Sequence, residues 1–204
     1  MVKVKICGIT NLEDALAAAD SRADALGFVF YRKSPRYISP LEARRIIKVL
    51  PARIKKVGVF VNAKTQTIKS IAGSCDLDIL QFHGKESPEF CRGFSGYKVV
   101  KAFRLKDAID PEQILRYKTF GYLFDTFIPG KPGGTGRRFN WNLLSKLDKM
   151  KQQIFLSGGL RACGIKDALK ITRADWVDVS SSVETRPGKK DRRKVKEFIR
   201  AAKR

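Results

Sequence analysis

Short β-branched and apolar runs alternate with segments of helical periodicity from one end of the chain to the other, and a switch of period between two and about 3.6 marks each change of element. The runs that read as strands cover residues 2–6, 25–30, 55–61, 77–82, 97–103, 122–126, 153–157 and 176–180, each followed by polar or glycine-containing turn residues. Helical patterns fill the intervals at 12–21, 40–50, 64–72, 86–92, 111–117, 141–149, 165–171 and 191–203. Several open on residues suited to a helix start: Thr10 or Asn11 can cap the first, with Asp14 nearby, and Ser39 precedes Pro40 at the second. A side-chain oxygen at that point accepts an otherwise unpaired N–H, and a proline at the first helical position gives up no hydrogen bond.

Eight strand-then-helix units in 204 residues predict an α/β fold of the (βα)8 TIM-barrel type, eight parallel strands with outer helices, since an open doubly wound sheet usually stops at about five or six strands. No linker interrupts the alternation, so one domain over residues 1–204 is expected. Barrels of this kind assemble sites from the C-terminal ends of strands and the loops that follow. Side-chain alternation sorts the residues found there. Lys3, Lys5 and Cys7 share the inward face of the first strand, while Val4 and Ile6 face the helices. By the same parity Gln81 goes with His83, Leu123 with Asp125, and Asp178 with Ser180. A thiol, an imidazole and two carboxylates are thereby expected at one end of the barrel.

A lone buried cysteine is usually an inert small hydrophobe. Cys7 differs in ending a strand just before the Gly8-Ile9-Thr10 turn, with Lys5 two residues back on the same face, where an ammonium stabilises a thiolate. Cys75, Cys91 and Cys163 fall in helices or their flanks and read as structural. Asp125 breaks the apolar run Tyr122-Leu123-Phe124, and an inward carboxylate needs a partner or a task; the alternative to chemistry is an ion pair with Lys5 or Lys101. Asp178 carries the same ambiguity and suits an orienting acceptor for sugar hydroxyls. His83 reads either as a site residue or as a satisfied structural histidine.

Glycine- and serine-rich turns follow the last three strands: Gly133-Gly134-Thr135-Gly136, Ser157-Gly158-Gly159 and Ser180-Ser181-Ser182. Their backbone N–H groups can cradle a phosphate. One such turn is usually no more than a turn, but turns after both strands seven and eight match the recurrent phosphate site of these barrels. Arg36, in the loop after strand two, offers a guanidinium fork to a carboxylate, against the alternative of solvated surface.

Composition narrows the function classes. A hydrophobic content of 43% in 204 residues supports a core without staples. Four scattered cysteines without a Cys-x-x-Cys pair and a single histidine argue against a structural metal, and no dinucleotide motif is present, so neither metal nor cofactor is expected. The N-terminus has a basic start without the apolar core of a leader, and no run approaches about eighteen apolar residues; a soluble, cytoplasmic protein without membrane contact is expected. The formal net charge of +22, from 42 Lys and Arg against 20 Asp and Glu, is the compositional outlier. Such a surface either binds nucleic acid or steers anionic metabolites inward. The basic residues are spread along the chain, with one denser run at 189–204, which favours steering.

The runs KICGIT, ALGFVFYRKSPRYIS, VGVFVN, QFHGKE, FDT, GGTGRRFNW, LSGGL and VDVSSSVETRPGKKD stand in an order and spacing that resembles, over nearly the whole chain, the phosphoribosylanthranilate isomerase family of tryptophan biosynthesis. The resemblance implies a cofactor-free Amadori rearrangement of N-(5-phosphoribosyl)anthranilate to 1-(2-carboxyphenylamino)-1-deoxyribulose 5-phosphate, with Cys7 of KICG as general base and Asp125 of FDT as general acid. It implies that Arg36 of SPRY holds the anthranilate carboxylate. The loops containing Gly158, Gly159, Ser181 and Ser182 are similar to those that bind the substrate phosphate, and Ser180 belongs to the same turn. His83, Asp178, Gly134 and Gly136 complete the expected substrate contacts. The expected partner is that small phosphorylated aminoaldose, bound by a monomer or homodimer.

In the implied scheme Asp125, protonated by its apolar setting, donates to the furanose ring oxygen and the Cys7 thiolate removes the C2′ proton. Some positions depart from the family pattern. Ser182 stands where glycine is common and is less free to adopt positive φ; QFHG and FNW replace the commoner QLHG and FDW; and Trp176 stands where a glycine often precedes the Val-Asp pair. Two rivals remain at this level. A related phosphate-binding barrel isomerase of histidine biosynthesis performs the same rearrangement on a bulkier aminoaldose, typically with a pair of aspartates, whereas here strand one ends in cysteine. A non-catalytic basic barrel would bind nucleic acid through 189–204, which lacks interleaved aromatics for base stacking.

Overall fold

The computed structural model of the chain describes residues 1–105, 108–126, 140–147 and 151–204. Eight parallel strands, β1 (Lys3–Cys7), β2 (Ala25–Val29), β3 (Lys55–Phe60), β4 (Ile79–Phe82), β5 (Lys98–Leu105), β6 (Gly121–Thr126), β7 (Gln153–Leu156) and β8 (Trp176–Val179), close in sequence order into a barrel. The ring is completed by β8 pairing with β1, Lys5 opposite Asp178. Around it lie α1 (Leu12–Asp20), α2 (Pro40–Ile47), α3 (Thr65–Ser74), α4 (Pro88–Arg92), α5 (Pro111–Leu115), a 3-10 helix at Trp141–Leu147, α6 (Ile165–Thr172) and α7 (Arg192–Lys203). The eight expected strands are all present, with ends moved by a residue or two. Among the described residues, no helix is long and apolar enough to cross a membrane.

Strand parity divides the apolar residues into two layers. Val4, Ile6, Leu26, Phe28, Phe60, Leu80 and Phe82 pack outward into the core shared with the helices. Ala25, Val57, Ile79, Val100, Ala102, Leu123, Phe155 and Trp176 fill the barrel interior. At its N-terminal end the Trp176 ring stacks on Phe155, centroids 5.0 Å apart, with Lys3 Nζ 5.1 Å from the indole centroid. The bulk at 176, unexplained by the family pattern, therefore plugs the barrel floor. Gly121 makes room for the Phe155 ring on which Trp176 stacks, because a Cβ there would meet that ring at 2.8 Å.

Several helix limits differ from expectation for local reasons. The cap of α1 is Asn11 rather than Thr10, its side chain accepting from Asp14 N. α2 ends at Ile47, three residues early, where the chain tightens into i-to-i+3 bonds such as Leu50 N to Ile47 O before Pro51. α4 starts at Pro88, capped by Ser87, because the Glu86 carboxylate accepts from Asn62 N and Gly84 N and cannot enter the helix. The segment expected as a helix over 141–149 is 3-10 over Trp141–Leu147, where Leu143 N donates to Asn140 O; positions 148 and 149 lie outside the described residues. A two-stranded hairpin, β9 (Glu184–Arg186) and β10 (Lys189–Lys190), lies between β8 and α7 and was not expected.

Candidate active site

A cavity of about 380 Å³ opens at the C-terminal ends of the barrel strands. Cys7, His83, Asp125 and Asp178 line it together, as strand parity required. So do Arg36, Gly158, Gly159, Ser180, Ser181 and Ser182. Gly134 and Gly136 lie outside the described residues.

Beneath the cavity Lys5 is fully buried, and its Nζ donates to Asp178 Oδ1 at 2.8 Å. Burial opposes the charge on Lys5, but the Asp178 carboxylate and Cys7 together leave the lysine pKa raised. This is a correction to the pairing considered for Asp125: Lys5 goes to Asp178, and Lys101 Nζ goes to Glu86 Oε2 at 2.9 Å. Cys7 is also buried, and burial pushes its thiol above the ordinary value while Lys5 and Lys190 pull it back only in part. At Cys7 desolvation outweighs the neighbouring ammonium groups that favour a thiolate.

On the other side, Asp125 is 6% exposed and its Oδ1 accepts from Thr126 N at 2.8 Å. Its Oδ2 lies 3.6 Å from His83 Nε2, beyond hydrogen-bond length. Gln81 Nε2 sits 3.1 Å from His83 Nδ1; with the amide donating there, the ring proton falls on Nε2 and faces Asp125. Among the described residues His83 Nε2 has no hydrogen-bond partner. Arg104, which the sequence reading missed, lines the same wall. The parity of Val100 and Ala102 carries it inward at the end of β5, in register with Asp125.

Arg36 is not solvated surface. Its Nε and Nη2 donate to Glu184 Oε1 and Oε2 at 2.9 and 2.7 Å, and its aliphatic stem covers Gly8, where a Cβ would meet Arg36 Cδ at 2.6 Å. Gly8 has φ +78, so both backbone and contact demand glycine. Burial would raise the Glu184 pKa, but the hydrogen bond from Arg36 and the charge of Lys190 hold it below the ordinary carboxylate range. Lys190 Nζ, 2.8 Å from Glu184 Oε1, also donates to the Cys7 carbonyl at 2.6 Å, and burial lowers its pKa. Glu184 and Lys190 were also missed; the Pro187-Gly188 pair between them was the available sign of a turn.

Gly158 and Gly159 have φ of +85 and +65. A Cβ on Gly158 would collide with Thr126 Oγ1 and lie 2.7 Å from Thr126 N, so the turn closes tightly on the strand carrying Asp125. Ser181 and Ser182 lie in a 3-10 turn, Ser181–Val183. Ser182 is not among the residues at positive φ, and its hydroxyl donates to Leu160 O at 2.5 Å. A serine there thus needs none of glycine's freedom, and ties the turn after β8 to the turn after β7. Of the cysteines expected to be structural, Cys75 and Cys91 are buried but Cys163 is exposed, because it lies in the loop before α6. Among the described residues, no group of three or more His, Cys, Asp and Glu is arranged to hold a metal.

Residues 4–201 match the family model described as N-(5′-phosphoribosyl)anthranilate (PRA) isomerase. The chain belongs to this isomerase family. It is 49% identical over 203 residues to N-(5′-phosphoribosyl)anthranilate isomerase of Pelobacter propionicus, covering 100% of this chain and 96% of the relative. The crystal structure of phosphoribosyl anthranilate isomerase from Thermotoga maritima superposes with a TM-score of 0.93 at 47% identity, covering 100% of this chain and 99% of that one. A family structure in complex with reduced 1-(o-carboxyphenylamino)-1-deoxyribulose 5-phosphate gives 0.90 at 45% identity over 100% and 99% of the two chains. The run 189–204, weighed as a nucleic-acid surface, is the β10 strand and α7, which buries Val195, Phe198, Ile199 and Ala202. Several of its cations are engaged within the chain, Lys203 with Asp24 and Arg192 with Glu13.

Proposed function

We propose that residues 1–204 form one catalytic domain that converts N-(5′-phosphoribosyl)anthranilate into 1-(2-carboxyphenylamino)-1-deoxyribulose 5-phosphate in tryptophan biosynthesis, with Cys7 as general base and Asp125 as general acid. The observation that carries the reading is one cavity lined together by a thiol from β1, a carboxyl from β6, an arginine fork, and the glycine and serine turns after β7 and β8. The substrate has a carboxylate at one end and a phosphate at the other. Arg36 receives the first. The turns at Gly158-Gly159 and Ser180-Ser181-Ser182 receive the second through main-chain N–H groups, and Asp178 Oδ2, the oxygen not bound to Lys5, accepts from a ribose hydroxyl.

Proton transfer then follows from the arrangement. Asp125 gives a proton to the furanose ring oxygen as the C1′–O bond breaks, and the aryl nitrogen lone pair forms the C1′=N bond. Cys7 takes the C2′ proton, and the released electron pair makes the enolamine, which tautomerises to the ketone. The raised thiol pKa makes the thiolate scarce but strongly basic, and Lys5 stabilises it once formed. His83 Nε2, facing Asp125, steadies the carboxylate left after it has given up its proton. The excess of positive charge draws a substrate carrying both a phosphate and a carboxylate to the barrel mouth.

The test is loss of phosphoribosylanthranilate fluorescence with purified protein, run beside the aminoaldose of the histidine pathway. Turnover of the anthranilate substrate is expected. Turnover confined to the histidine-pathway substrate would replace this reading with that of the related isomerase.

A further inference from the structure

Two cations and one carboxylate meet beside the cavity that Arg36 lines: Arg36 and Lys190 both contact Glu184, whose side chain is 4% exposed, and the Lys190 side chain is 1% exposed. Lys190 alone would neutralise Glu184, so the cluster keeps one unmatched positive charge beside the cavity. The guanidinium has five N–H donors. Glu184 takes one at Nε and one at Nη2, and the Nη1 edge donates to no other group among the described residues. Gly8 under the arginine stem and Lys190 on the Cys7 carbonyl fix the same cluster to the end of β1. Thr10 Oγ1 closes the hairpin by donating to Gly188 O.

We propose that Glu184 is a positioning residue that locks Arg36 in the rotamer in which its remaining donors meet an aryl carboxylate, with Lys190 tying that lock to Cys7. The inference rests on the carboxylate-anchoring role of Arg36 proposed above. An arginine free to rotate loses rotamer entropy on binding, whereas one held by two charge-assisted bonds has lost it already. The hairpin β9–β10 thereby sets the distance between the anchor and the base.

The experiment is equilibrium binding of two probes, reduced 1-(o-carboxyphenylamino)-1-deoxyribulose 5-phosphate and its phenylamino analogue without the carboxylate, to the wild type, Glu184→Gln, Glu184→Asp, Arg36→Ala and Arg36→Ala/Glu184→Gln. Charge-assisted bonds are worth about 1.5–3 kcal/mol, so Glu184→Gln should weaken the carboxylated probe roughly 10- to 100-fold. It should leave the analogue unchanged and add nothing on top of Arg36→Ala. Glu184→Asp keeps the counter-charge for Lys190 but cannot span both guanidinium nitrogens, and gives the same pattern should Glu184→Gln fold poorly. Equal weakening of both probes, or additive losses in the double variant, would assign Glu184 a purely structural role and overturn the proposal. Failure of the wild type to prefer the carboxylated probe would overturn the Arg36 anchor and this inference with it. A wild-type preference that survives in Glu184→Gln and Glu184→Asp sinks the inference alone.

Discussion

Replacing Lys5 with methionine removes the ammonium from the barrel interior while keeping most of its volume. Lys5 is fully buried and lies 2.8 Å from Asp178, whose side chain is 7% exposed. Breaking a buried pair by deleting one partner costs about 3–5 kcal/mol, because the other charge is left uncompensated. Asp178 borders the cavity and can hydrate, so the lower figure applies. In a chain of this size each kcal/mol moves the unfolding midpoint by about 2–4 °C, which places Lys5→Met roughly 6–12 °C below the wild type by circular dichroism. The same change withdraws a cation from Cys7, so the thiol pKa climbs further and alkylation by iodoacetamide, measured in a Cys163→Ser background, slows about tenfold per pKa unit. Adding Asp178→Asn removes the orphaned charge, restores most of the lost stability, and returns part of the alkylation rate, since the Asp178 charge itself opposes the thiolate. A Lys5→Met protein that melts with the wild type, or whose Cys7 alkylates as fast, refutes the reasoning.

Other consequences follow from the same geometry. Because the base must lose its proton and burial raises the Cys7 pKa, kcat/KM should rise with pH through the thiol titration, with its inflection above the ordinary thiol range; an inflection below that range would contradict the assigned burial effect. Gly158→Ala forces a Cβ against Thr126 at φ +85, costing about 1–3 kcal/mol and shifting the strand end that carries Asp125. Thermal melting and turnover should fall together, and a neutral variant would show that the turn yields.

Alternation along the strands was enough to gather Cys7, His83, Asp125 and Asp178 at one end of the barrel, because a period of two decides the face of each strand residue whatever its partners. It could not say who pairs with whom. Lys5 finds Asp178 across 173 positions of sequence and Arg36 finds Glu184 across 148, and pairings at that range depend on barrel closure and loop path. Parity put Cys7 at the barrel mouth, but the upward shift of its thiol pKa could not be read from the sequence, since desolvation is invisible until neighbours are placed. Glu184 and Lys190 sit on strands of three and two residues, too short for periodicity to register. Arg104 was within reach of the strand-five parity, and was missed because a single arginine at the end of an apolar run in so basic a chain looks like surface. Trp176 and Ser182, set against the family pattern as anomalies, turn out to fill the barrel floor and to bridge two turns.

The central claim is that Cys7 and Asp125 move the protons. Single-turnover conversion of N-(5′-phosphoribosyl)anthranilate by the wild type, Cys7→Ala and Asp125→Asn, with binding of the reduced product analogue measured in parallel, tests it most directly. Each variant should convert substrate roughly 100- to 10,000-fold more slowly while binding the analogue nearly as the wild type does. A variant of either residue that turns over at the wild-type rate would contradict the account.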